Sequence, residues 1–128
     1  MVQTAQAEKQ ADRTISDDVA RLVEAARSKK ARDIAVLDLR GSSDVTDFFV
    51  ICTADVDSHA RAIADGIVES QRIATGRKPW HIEGTDKMNW VLIDYVDVVV
   101  HIMRDDTRKF YGLEEIWGDA SRTDYPNE

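Results

Sequence analysis

The sequence predicts an α/β (α+β) domain: a single mixed β-sheet of about five strands with flanking helices, in the order α-β-β-α-β-β-β-α. Three observations predict it. Two long stretches repeat apolar residues at helical spacing, and short β-branched or aromatic runs stand between and after them. The period changes several times without an internal repeat. That is the pattern of one sheet with helices packed mainly against one face.

Each element has its own signal. Ser16 is placed to cap a helix from Asp17 to Lys29, where Val19, Leu22, Val23 and Ala26 share a face and acids fill the first turn. Asp33 to Leu39 is a short β-branched strand. Gly41-Ser42-Ser43 marks a turn, and Phe48 to Thr53 is the second strand. Asp57 or Ser58 caps a longer helix with Ala60, Ile63, Ala64, Ile67 and Val68 on one stripe, and Gly76 ends it. Three strands follow, at about 79–83, 90–95 and 97–103. Asp105 or Asp106 opens the last helix, where Phe110, Leu113 and Trp117 share a face and Gly118 stops the run. The folded domain is thus expected over 14–118, with flexible ends at 1–13 and 119–128.

Composition narrows the function. At 128 residues the chain fits one domain with a real core. Its formal net charge of -7, from 24 carboxylates against 17 Lys and Arg, is poorly suited to neutralising phosphates. Near RNA, such a domain is expected to touch a basic protein rather than the nucleic acid. Cys52 is the single cysteine, so no intrachain disulfide forms. No apolar stretch approaches the ~20 residues of a membrane span, and the polar first residues carry no apolar signal core. A cytoplasmic address is expected.

The segment 90–103 allows a sharper reading. If the chain turns at Tyr95-Val96, Asp94 faces Asp97, Leu92 faces Val99 and Trp90 faces His101. Side chains alternate across a strand, so these six share one face. The other face carries Val91, Ile93, Val98, Val100 and Ile102, all aliphatic, and belongs beneath the helices. The mixed face is either partly solvated or pressed against a partner, and an exposed Trp beside carboxylates suits a protein-binding anchor. Two Asp that close repel, so a cation such as Arg104 or a partner's arginine is expected beside them.

Catalytic patterns are weak. Gly41-Ser42 followed by Asp44 and Asp47 faintly echoes a nucleotidyltransferase signature. Two carboxylates on one strand face need a spacing of two, however, and here it is three. His59, His81 and His101 lie in three different elements, in no close-spaced ligand pattern. Cys52 sits in a strand, as a small core hydrophobe does. No catalytic residue, metal ligand or cofactor is expected.

Several pieces in order resemble one family. They are Thr46-Asp47-Phe48-Phe49-Val50-Ile51-Cys52-Thr53, the helix start around His59, Glu83-Gly84, Trp90 to Asp94, Asp97 to His101, and Arg108 to Trp117. Over about residues 16–117 the chain is similar to the ribosome silencing factors, also called the Iojap-related proteins. The resemblance implies a nucleotidyltransferase-like fold without a catalytic centre. It implies a translational repressor that binds the large ribosomal subunit through ribosomal protein fourteen and blocks joining of the two subunits when nutrients run short. It also implies a homodimer when free. Glu83, Trp90, Asp94, Asp97 and His101 match positions in the family's motifs, and their place on the mixed face makes them the expected partner-binding residues. The chain departs from the family pattern at Val96 and Ala54, where glycine is usual, and at Asp57, where serine is common. Val96 tolerates positive φ poorly, so its turn must differ or carry strain. A nucleotidyltransferase-like enzyme and a plain dimerisation module are the rival expectations.

Overall fold

The computed structural model describes residues 17–127. The expected Ser16 cap and the N-terminal end at 1–13 lie outside the described residues. The first helix, α1, is described over 17–28 and buries Val19, Leu22, Val23, Ala25 and Ala26. Strands β1 (Arg32–Asp38) and β2 (Phe48–Ala54) pair antiparallel. Helix α2 (Asp57–Thr75) turns Ala60, Ile63, Ala64 and Ile67 inward. Its C-terminus is closed by Gly76 at φ 76°, whose N–H donates to the Arg72 carbonyl, the geometry in which glycine has no Cβ penalty. Neither Asp57 nor Ser58 caps its other end. Val56 holds the N-cap position in extended geometry, without a side-chain hydrogen bond, and Asp57 lies in the first turn.

Three more strands, β3 (His81–Glu83), β4 (Trp90–Asp94) and β5 (Val98–Arg104), continue the sheet. The next helix is interrupted. Gly112 adopts φ 56°, so α3 (Asp105–Tyr111) ends there and a one-turn α4 (Leu113–Ile116) starts afresh. The expected single stripe of Phe110, Leu113 and Trp117 therefore does not exist. Leu113 and Trp117 pack against the sheet, while Phe110 is 81% exposed.

The sheet has six strands, not about five, in the order β3-β4-β5-β2-β1-β6. Its sixth, β6 (Ser121–Asp124), comes from the segment expected as a tail and pairs antiparallel with β1. Its four residues are all exposed, so no apolar pattern announces it; backbone pairing and Tyr125, packed against the core, hold it in place. β2 and β5 run parallel and the other neighbours antiparallel, which makes the sheet mixed.

The two long helices pack on one face, as expected, and the short last helix covers part of the other. α1 and α2 lie over Val36, Val50, Cys52, Val91, Ile93, Val98, Val100 and Ile102 in the main core. On the reverse face, Leu37, Ile51 and Met103 form a smaller cluster with Leu113 and Trp117. Arg108 ties this second layer down. It is 9% exposed, donates to the carbonyl of Asp33 at 2.7 Å and to Thr53 Oγ1 at 2.9 Å, and pairs with Glu114 at 3.1 Å. Asp33 has φ 52° at the point where the β1–β2 register shifts, so Arg108 satisfies a carbonyl at a strand irregularity. No helix among the described residues is long and apolar enough to cross a membrane.

Candidate partner-binding face

The β4–β5 hairpin sets the geometry of the site. Leu92 pairs with His101, Ile93 with Val100 and Asp94 with Val99, while Trp90 lies opposite Met103. This register is displaced by two residues from the expected one. Because side chains repeat every two residues, such a slip preserves which side chains share a face. Val91, Ile93, Val98, Val100 and Ile102 are fully buried, as the aliphatic alternation predicts.

The turn itself is displaced by one residue, to Val96-Asp97. Tyr95 N–H donates to Val98 O at 2.8 Å and Asp97 N–H donates to Tyr95 O at 3.0 Å. The second bond closes a three-residue turn about Val96, which sits at φ 76°. A β-branched residue in that region is strained. Asp94 Oδ1 accepts the Val96 N–H at 2.7 Å, which helps hold the turn.

Asp94 and Asp97 do not face one another. Asp97 pairs at 2.8 Å with Arg77, which also donates to the Tyr95 carbonyl at 2.6 Å and reaches Asp18 on α1 at 3.2 Å. The relieving cation is therefore Arg77 from the loop after α2. Arg104 instead pairs with Asp57.

Trp90 and His101 form a unit. The indole Nε1–H donates to His101 Nδ1 at 3.0 Å, and the Trp90 ring lies 4.8 Å from that of Tyr111. His101 is 3% exposed, with the Phe49 ring edge-on at 4.5 Å. Burial drives its pKa down to about 4. It is therefore neutral near pH 7, and because Nδ1 accepts from the indole, the proton resides on Nε2. Trp90 itself is half-buried, packed against His101, Tyr111 and the small cluster on this face, and it also lines an open cleft beside Leu92.

Glu83 projects from β3 into solvent and pairs with His81 at 2.8 Å. Gly84 follows at φ 86°, and a Cβ there would stand 1.9 Å from the Trp90 carbonyl oxygen. Only glycine lets this loop pass so close to β4. A shallow cleft lined by Glu83, Gly84, Trp90 and Leu92 results. Of the five residues expected to bind a partner, Glu83, Trp90 and Asp94 thus share an open strip. His101 supports Trp90 from below, and Asp97 is engaged within the chain.

Sequence reasoning missed three exposed aromatics. Trp80 is 74% exposed, and Phe110 and Tyr111 also reach solvent. Trp80 lies just before β3, where strand alternation no longer fixes a side chain's direction. For the other two the signal was Gly112, a residue suited to ending a helix.

The remaining candidates have structural tasks. Asp47 donates its backbone N–H to Asp97 O and accepts from Leu39 N–H, fastening the loop before β2. Burial pushes the Cys52 thiol up to about 12, which holds it protonated and unreactive. His59 accepts from Asp55 N–H at 2.9 Å and donates to the Lys29 carbonyl at 2.7 Å, fixing the start of α2 against the end of α1. An acidic α/β domain with aromatics and carboxylates together on one strip has the makeup of a contact surface. The class this fold and strip point to is that of a binding protein.

Comparison with known proteins supplies the family. The profile of the family described as "Ribosomal silencing factor during starvation" matches residues 8–128. The ribosomal silencing factor of Bacillus subtilis is 43% identical over 100 residues, covering 78% of this chain and 84% of that protein. The mouse protein named for mitochondrial assembly of the ribosomal large subunit is 32% identical over 102 residues, covering 78% of this chain and 45% of its own length. A crystal structure from Chromobacterium violaceum superposes with a TM-score of 0.78 at 29% identity, covering 81% of this chain and 86% of that one. The chain belongs to the ribosomal silencing factor family, proteins that silence ribosomes during starvation and are regulators rather than enzymes.

Proposed function

We propose that this protein binds the large ribosomal subunit through ribosomal protein fourteen and so prevents the small subunit from joining when nutrients are limiting. The observation that carries the reading is the open strip of the outer sheet face. There Trp90 is held by His101 and Tyr111 at one end of β4, with Glu83 on the neighbouring strand opposite Leu92 and Asp94 further along the same face, on a chain of net charge -7. A pre-oriented aromatic with two carboxylates along the same strip matches a basic protein surface, with the indole as anchor and the acids as steering charges. The mouse relative's name, which refers to the ribosomal large subunit, supports that partner. Asp97 and His101 contribute from beneath, by fixing the hairpin tip and the indole. We further propose a cytoplasmic protein that is homodimeric when free, which sedimentation tests.

Co-sedimentation with isolated large subunits across a salt series tests the main reading. Trp90→Ala should weaken binding about thirtyfold, the cost of a desolvated anchor. Glu83→Gln and Asp94→Asn, both surface changes, should slow association and flatten its salt dependence. Wild-type affinity in a Trp90→Ala protein whose circular dichroism is native would move the site elsewhere. Unchanged salt dependence in both acid variants would do the same without any question of folding.

A further inference from the structure

Beside the Trp90 strip lies a second concavity, at the tip of the hairpin. It encloses about 350 Å³ and is lined by Val45, Trp80, Asp94, Val96 and Val99. Three of these apolar side chains are exposed: Val45 at 85%, Trp80 at 74% and Val96 at 59%. Scattered apolar residues on a surface need no explanation, but a cluster that walls a groove does. Here the groove has an apolar floor at Val99, an aromatic wall and one ionisable lining residue, the carboxylate of Asp94.

The chemistry of that lining selects an occupant. An indole face attracts a cation through its quadrupole, and a carboxylate beside it supplies the counter-charge. Valine side chains on the remaining walls suit a methylene stem. A planar guanidinium satisfies both the stacking and the carboxylate geometry better than an ammonium does. This chain makes such contacts internally, with the guanidinium of Arg40 5.0 Å from the Phe48 ring centre and that of Arg77 5.5 Å from that of Tyr95. Asp94 Oδ1 is engaged by the Val96 N–H, which orients the carboxylate at the groove. The groove is also continuous with the Trp90 strip, because Leu92 and Asp94 lie on the same face of β4.

We propose that the groove between Trp80 and the hairpin tip receives an arginine side chain of the partner protein, its guanidinium stacked on the Trp80 indole and paired with Asp94. This rests on the reading that the outer face binds a basic protein, and it adds a second anchor. It also gives Val96 a role: the strained turn raises an apolar wall at the mouth of the groove.

Two measurements test it. In the free protein, N-acetyl-arginine amide is titrated while the Trp80 indole N–H signal is followed by NMR. The uncharged citrulline amide, of equal length, serves as the control. Arginine should shift the signal and citrulline far less, and Asp94→Asn should weaken the arginine response. An equal response to both, or none to arginine, overturns the proposal. In co-sedimentation with large subunits, Trp80→Leu should weaken binding about tenfold, whereas Trp80→Phe, which keeps a ring, should lose less than about threefold. If Trp80→Leu binds like wild type while Trp90→Ala does not, the groove is no anchor and the functional reading stands. If both bind like wild type, both proposals fall.

Discussion

The two faces of the sheet solve different problems. Under α1 and α2 the core is aliphatic and continuous, and every inward residue of the β4–β5 hairpin is fully buried. The reverse face is aromatic, smaller and only partly roofed, with Phe49, Trp90, His101 and Trp117 in edge-on or tilted contacts. The first face supplies stability through area removed from water. The second spends part of its surface on display, and its polar hydrogen bonds fix where the displayed groups point. Stability and recognition are thus divided between opposite sides of one layer.

Mutations should separate the two. The largest effect belongs to the aliphatic face: Ile102→Ala, at a fully buried central position, should cost about 4 kcal/mol in chemical denaturation. Less than about 1 kcal/mol would mean that the two faces do not differ as described. On the aromatic face the distinguishing variable is pH. His101 takes its proton at about 4 when folded, against about 6.5 in the unfolded chain. Its contribution is therefore fully present above pH 6.5 and is lost as pH falls towards 4, on the order of 3 kcal/mol. A charged imidazole no longer accepts the Trp90 N–H, so indole fluorescence should change with the same titration. His101→Gln should lose less stability over that window than wild type; equal losses would remove the histidine from the explanation.

Smaller effects probe the tip. Val96→Gly should stabilise by about 1 kcal/mol, because glycine occupies φ 76° without strain. A destabilised Val96→Gly protein would show that side-chain packing, not strain, dominates there. Phe110→Ser should change thermal stability by less than about 0.5 kcal/mol, since that ring is exposed. A larger loss would restore the helix stripe that Gly112 interrupts.

Legibility in the sequence followed the same division. The aliphatic face was readable because alternation is a strict rule of extended chain, and a two-residue register error left it intact. The hairpin partners were not, because the position of the turn depends on Val96 entering a region that β-branched residues avoid. Trp90 and His101 were found together on one face, whereas the hydrogen bond that seals the histidine needs the third dimension. Phe110 was misplaced by extending a helical period through Gly112. Arg77 went unnoticed: its partners Asp18 and Asp97 lie far away along the chain, and no local pattern joins them.

β6 has a consequence for life at high concentration. Without it β1 would be an outermost strand, presenting unpaired backbone groups along a run that includes Ala35, Val36 and Leu37. Such a strand is a template for copies of itself. The exposed Ser121-Arg122-Thr123-Asp124 replaces that border with a short, charged one, and at the opposite border β3 is only three residues long. The last strand thus acts as a guard against strand-to-strand aggregation. A chain shortened to end at Ala120 should scatter light at concentrations where the full chain stays clear; equal clarity would assign β6 to stability alone.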